Sequence, residues 1–115
     1  MSIYFDLPVY KKSYDLLLEL MKLSADLSKT YKYSVGERVR LEAIELIINI
    51  YKANAAAEKS PFIAKSRENI EIIRLMIRVL HDMQQINLKR MVFINKIIED
   101  ISKQLVGWQQ YCTTK

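Results

Sequence analysis

Glycine and proline are scarce, two of each in 115 residues. A β-rich fold with many tight turns needs both, so that scarcity argues against one. Cysteine occurs once, at Cys112, and histidine once, at His81. One cysteine excludes a disulfide framework within the chain and fits a reducing, cytoplasmic setting. One histidine gives a His-based triad a single candidate, and no Gly-x-Ser-x-Gly elbow accompanies it. Carboxylate-bridged metal bundles use Glu-x-x-His pairs, but the residue three before His81 is Arg78. Gly36 and Gly107 stand alone, which leaves no phosphate-cradling loop. The expectation is a protein with no catalytic residues, no metal site and no cofactor, in which His81 and Cys112 are incidental. Long apolar runs are missing too: none approaches the ~18–20 residues that cross a bilayer. The stretch Met1–Asp6 has neither the basic nor the apolar region of a signal peptide. No membrane partner is expected.

What the chain does contain is helix-forming. Half of it is apolar, and Leu, Ile, Lys, Glu, Ala and Met predominate. The length suits one domain, residues 1–115. Three boundaries divide it. Ser34 and Glu37 have the spacing of a capping box. Ser60 reads as an N-cap with Pro61 at the first helical position, and Asn87 as the N-cap of a last helix. Pro8, preceded by Asp6 and Leu7, opens the first. The spacing predicts helices over about 9–31, 35–57, 61–85 and 88–111, with the end fraying after Trp108. Each would run ~35 Å at 1.5 Å per residue. Short connections between long helices make neighbours antiparallel. The predicted fold is all-α, an up-down-up-down four-helix bundle.

A bundle core needs an apolar arc only slightly wider than about 100° from each helix. The third segment exceeds it, with Ile70, Ile72, Ile73, Leu75, Met76, Ile77, Val79, Leu80 and Met83. The second is wider still. Its polar strip is only Arg38, Glu42, Glu45, Asn49 and Lys52. The surplus predicts a homo-oligomer, with Leu41, Ile44, Ile48 and Tyr51 in the interface beside part of the third helix. Asn54 falls within this arc, where a buried amide would fix register or oligomer state.

Eighteen basic residues stand against thirteen acidic, a formal charge of +5. The excess lies late in the chain. Residues 1–33 carry +1, 34–58 carry −1, 59–86 carry +2 and 87–115 carry +3. Arg67, Arg74 and Arg78 fall on one face of the third helix. Lys89, Lys96 and Lys103 repeat at sevens on one face of the fourth, opposite Ile94, Ile97, Ile98, Ile101 and Leu105. Glu71 and Asp82 interleave the arginines at salt-bridge spacing, so that stripe also reads as an ordinary solvated face. The lysine stripe has only Glu99 and Asp100 nearby. These six side chains are the candidate contacts to nucleic-acid phosphates or to an acidic protein partner. Tyr10, Tyr14, Tyr31, Tyr33, Tyr51 and Trp108 could stack bases or simply pack at helix ends.

Several short stretches carry a resemblance. Leu7-Pro8-Val9-Tyr10-Lys11 followed by Tyr14-Asp15-Leu16-Leu17 resembles the start of the accessory variability determinant proteins of diversity-generating retroelements. Gly36-Glu37, Glu42-Ala43-Ile44-Glu45, Ile50-Tyr51-Lys52-Ala53-Asn54, Arg74-Leu75 and Gly107-Trp108 extend it over about residues 7–110. The wider family includes four-helix proteins encoded in intervening sequences of large-subunit ribosomal RNA genes. The resemblance implies a four-helix bundle in a homopentamer with a basic surface. It would bind RNA or DNA and associate with the element's reverse transcriptase during mutagenic copying. A ribosomal-RNA-associated bundle and a purely structural oligomer are the alternatives.

Overall fold

Leucines and isoleucines three and four residues apart give each long segment a stripe that must leave water, and the segments form helices that bring those stripes together. The computed structural model describes residues 6–113. Its elements are α1 (Pro8–Ala25), α2 (Lys29–Lys32), α3 (Val35–Ala55), α4 (Ser60–Asp82) and α5 (Leu88–Thr113). Helix α1 packs on α3 and α5, and α4 packs on the same two, so the four long helices stand at the corners of a square. Within it α3 and α5 are diagonal. The bundle is up-down-up-down as expected, 46 Å long and about 20 Å across, and no strand occurs among the described residues.

Leu16, Leu20 and Leu23 of α1 meet Val39, Ala43, Leu46 and Ile50 of α3 in the centre. Ile63, Ile70, Ile73, Ile77 and Leu80 of α4 and Ile94, Ile98, Ile101 and Leu105 of α5 complete the core. Fully burying one such side chain contributes about 1.5–3 kcal/mol relative to exposure. The buried hydroxyls of Ser13 and Ser66 donate to the Val9 and Phe62 carbonyls, at 2.7 and 2.9 Å, so neither is left unsatisfied.

The helix boundaries depart from the sequence-based ones in specific ways. The first predicted helix, 9–31, stops at Ala25, and a single turn, α2, follows. Ser24, Asp26 and Ser28 are poor helix formers that compete for backbone hydrogen bonds. The chain turns at Ser28, whose N–H donates to Gln85 Oε1 at 3.1 Å, while Arg90 and Asp26 pair at 3.0 Å. The start of α3 lies so close that a Cβ on Gly36 would meet Leu27 Cδ1 and Ser24 Oγ at 3.0 Å.

The capping box at Ser34 and Glu37 does not form. Ser34 Oγ donates backwards to the Thr30 carbonyl at 2.7 Å and makes no cap bond to α3. Ser60 is already helical, with Lys59 at the N-cap position and Pro61 in the first turn. Lys59 instead closes the preceding helix. Its Nζ donates to the carbonyls of Ala53, Asn54 and Ala56 at 2.9–3.1 Å, which are the acceptors a helix end leaves free.

Helix α4 ends at Asp82 rather than at 85. The Gln85 N–H donates to the Leu80 carbonyl and the Gln84 N–H to His81, with Gln84 at φ 61°. That is the αL termination in which glycine is usual. Asn87 caps α5 as expected, accepting the Arg90 N–H at 2.8 Å. Helix α5 then continues past Trp108 to Thr113 instead of fraying.

The polar strip assigned to the second segment also needs correction. Asn49 is buried, 5% exposed, because it faces α4 rather than solvent. Its Nδ2 donates to Asn69 Oδ1 at 2.9 Å, Asn69 Nδ2 donates to Glu42 Oε1 at 2.9 Å, and Arg38 Nε donates to Glu42 Oε2 at 2.8 Å. The buried amides are therefore Asn49 and Asn69, while Asn54 is only half-buried.

Asn49→Ala and Asn69→Ala should each cost about 1–3 kcal/mol of stability, since each orphans a buried amide. The double variant should cost less than their sum. Urea unfolding that finds the two losses additive within about 0.5 kcal/mol would show that the amides do not support one another.

Candidate nucleic-acid interface

Seven residues advance an α-helix by nearly two turns, so Lys89, Lys96 and Lys103 form a line along α5 with ~10 Å between neighbours. The line lies opposite the buried Ile94, Ile98, Ile101 and Leu105 and faces water along its length. Two carboxylates between the lysines would cancel much of its field, but both are engaged from the flanks. Glu99 pairs with Arg74 of α4. Asp100 lies 3.7 Å from Lys12 Nζ of α1 and accepts from Gln104 Nε2 at 3.2 Å. Among the described residues, Lys89, Lys96 and Lys103 have no ion-pair or hydrogen-bond partner.

The arginines of α4 are differently placed. Arg74 is held between Glu71, at 3.2 Å, and Glu99 across the helix boundary. Arg78 lies 3.7 Å from Asp82 Oδ2, and Arg67 donates to Gln109 Oε1 of α5 at 2.5 Å. Exposed pairs of this kind contribute about 0–1 kcal/mol apiece. They do, however, occupy the cations. The structure thus separates the six candidate side chains into three with internal partners and three without.

Leu41, Ile44, Ile48 and Tyr51 are all solvent-exposed, at 38–52%. They project from α3 away from the core, and the apolar surface continues onto α1 through Tyr14, Leu18 and Met21. Tyr10, Leu17 and Ile47 are half-buried, and Tyr10 of α1 shares a surface with Ile47, Ile48 and Tyr51 of α3. Sequence reasoning placed the surplus on the second and third predicted helices and passed over the first. The signal was present: Tyr10, Tyr14, Leu17, Leu18 and Met21 form a second apolar arc beside Leu16, Leu20 and Leu23. Leu75 of α4 and Met83 just past its end are exposed as well, but Leu75 stands among Glu71, Arg74 and Arg78.

His81 Nδ1 lies 3.6 Å from Asp82 Oδ1, and Cys112 is half-buried beside Trp108 against the core. Tyr31 and Trp108 pack on the core, whereas Tyr33 is exposed. Among the described residues no group of three His, Cys, Asp or Glu side chains is placed to hold a metal ion. No described helix is long and apolar enough to cross a membrane. Asn95 Oδ1 is the one buried side-chain N or O atom without a hydrogen-bond partner among the described residues.

Comparison with known proteins yields a likeness of fold. The bundle is similar to a protein of unknown function from the S23 ribosomal protein family of Bacteroides thetaiotaomicron, with a TM-score of 0.78. The two share 18% identity, and the match covers 88% of this chain and 97% of the other. No protein-family model and no curated protein matches the sequence.

Gly107 follows Lys103 by four residues on the outward side of α5, and a Cβ there would meet none of the described residues within 4 Å. Gly107→Ala should therefore stabilise the protein by about 0.5–1 kcal/mol, by removing backbone entropy from the unfolded chain. A lower thermal midpoint for the alanine variant would contradict the open geometry.

Proposed function

We propose that this chain is a non-catalytic, oligomeric nucleic-acid-binding protein that serves as the accessory protein of a diversity-generating retroelement, docking the element's reverse transcriptase. The observation that carries the binding part is the lysine line on α5, whose neighbouring carboxylates are drawn off by Arg74 and Lys12. Phosphates would complete those lysines, giving affinity without sequence preference. The apolar face formed by α1 and α3 supports self-association. Helix α3, which carries most of it, is diagonal to α5, so oligomerisation and nucleic-acid binding would use different helices. Five copies are suggested by the family resemblance. A closed ring would repeat the lysine line and multiply weak contacts through effective concentration.

The polymerase partner rests on the sequence resemblance alone. A ribosomal-RNA-associated role is the second reading, favoured by the family name of the structural neighbour. Co-purification with a reverse transcriptase encoded beside this gene would support the first reading, and its absence would favour the second.

Two measurements test the shared core of both readings. Changing Lys89, Lys96 and Lys103 to Gln should leave helicity and oligomer size intact. It should also weaken RNA and DNA binding and flatten the log–log salt slope by about 0.7–0.9 for each phosphate no longer neutralised. Binding as tight as the parent's would reduce the line to a solvated face. Ile48→Glu should dissociate the oligomer before it unfolds the bundle. Sedimentation that finds only the 13.5 kDa species for the parent itself would remove the assembly.

A further inference from the structure

The lysine line is not purely polar. Phe93 stands four residues after Lys89 and three before Lys96, spacings that put its ring beside both side chains on the helix surface. It is 51% exposed, and Val92 and Leu88, on the other flank of the lysine line, are exposed as well. At the other end Gly107 leaves bare helical backbone on the same face, with none of the described residues within 4 Å of where a Cβ would stand. Glycine inside a helix costs about 1 kcal/mol relative to alanine. Nothing in the fold requires it at this position, in contrast to Gly36 at its crowded crossing. Unpartnered cations, an exposed aromatic ring between two of them and a stretch of open backbone thus lie along one side of one helix.

We infer that the outward face of α5 binds single-stranded nucleic acid, with Lys89, Lys96 and Lys103 on phosphates, the Phe93 ring stacked on an unpaired base and Gly107 admitting close approach of the strand. This rests on the nucleic-acid reading above and narrows it. A duplex offers phosphates to the lysines but keeps its bases stacked on one another, leaving Phe93 in water. An unpaired base has a free π-face, and stacking on an aromatic side chain is tolerant of sequence. A second copy of this chain is the poorer occupant. Burying this surface would also desolvate lysines that have no carboxylate partners among the described residues, whereas the α1–α3 side exposes Tyr14, Leu18, Leu41, Ile44 and Ile48 together.

The test uses the full chain in its native oligomeric state. Fluorescence anisotropy at fixed salt would compare a labelled RNA oligonucleotide without self-complementarity against the same strand annealed to its complement. The parent should bind the single strand more tightly. Phe93→Leu, which keeps the position apolar and helical, should weaken single-strand binding at least about five-fold, the lower end of what one stacked base contributes. It should leave duplex affinity, the salt slope and the sedimentation coefficient unchanged. The triple lysine variant should weaken binding of both probes. If Phe93→Leu binds the single strand like the parent, or weakens on both probes equally, stacking is overturned while the phosphate contacts stand. A change in oligomer size for Phe93→Leu would also overturn the inference, by assigning the ring to contacts between copies. If the parent binds neither probe, the nucleic-acid reading itself falls.

Discussion

Leu16 and Leu20 on α1, Leu46 and Ile50 on α3, Ile73 and Ile77 on α4, and Ile94 and Ile98 on α5 are withdrawn from water into one shared seam. Everything outside that seam is placed as a consequence. Once those positions point inward, the helical repeat sends Leu41, Ile44 and Ile48 outward from α3 and Lys89, Lys96 and Lys103 outward from α5. Because α3 and α5 occupy diagonal corners, the most apolar and the most basic surfaces end up on opposite sides. Neither surface could be relocated without turning a whole helix and exposing its aliphatic stripe, at a cost of several kcal/mol.

One polar line interrupts this seam. Asn49, Asn69, Glu42 and Arg38 connect the boundary of α3 and α4 to solvent, each donor finding an acceptor. Hydrophobic packing is indifferent to small slides of one helix along another, whereas two amides facing each other are satisfied in one register. Such a pair contributes little net stability, yet it penalises alternatives that would bury an unpaired amide by about 1–3 kcal/mol. That is a physical reason for amides at a position where leucine would pack.

The helices and their antiparallel order were legible because periodicity reports burial directly. Ends were harder to read, because they depend on which of several local hydrogen bonds wins. Ser34 had the right neighbour for a capping box, but its hydroxyl reaches the Thr30 carbonyl instead. Lys59 carried no signal at all as a helix terminator, since its role depends on where α3 happens to stop. Asn49 was misplaced for a related reason. A polar residue at the edge of an apolar arc looks solvent-facing until a partner amide arrives from another helix, and Asn69 is 20 residues away. The candidate site was legible in part. The lysine repeat is visible in sequence, but the fate of the six cations was decided by contacts from neighbouring helices.

Those contacts bear on how a modest overall charge can produce a directed field. A net +5 spread evenly over a bundle 46 Å long would do little at physiological salt, where charges more than about 8 Å apart are screened from one another. Distribution matters more than total. On α4, Arg74 stands between Glu71 and Glu99 and Arg78 beside Asp82, so the positive charge of both is matched by acids at close range. On α5 the acids turn aside towards Lys12 and Arg74, and the lysines between them are left on a ridge. The same ion pairs that tie α5 to α1 and α4 therefore also neutralise the carboxylates that lie beside its lysines. Each pair adds little to stability in water, but together they segregate charge. The basic face of α5 thus depends on helix packing, because without Lys12 and Arg74 its own carboxylates would stand free among its lysines.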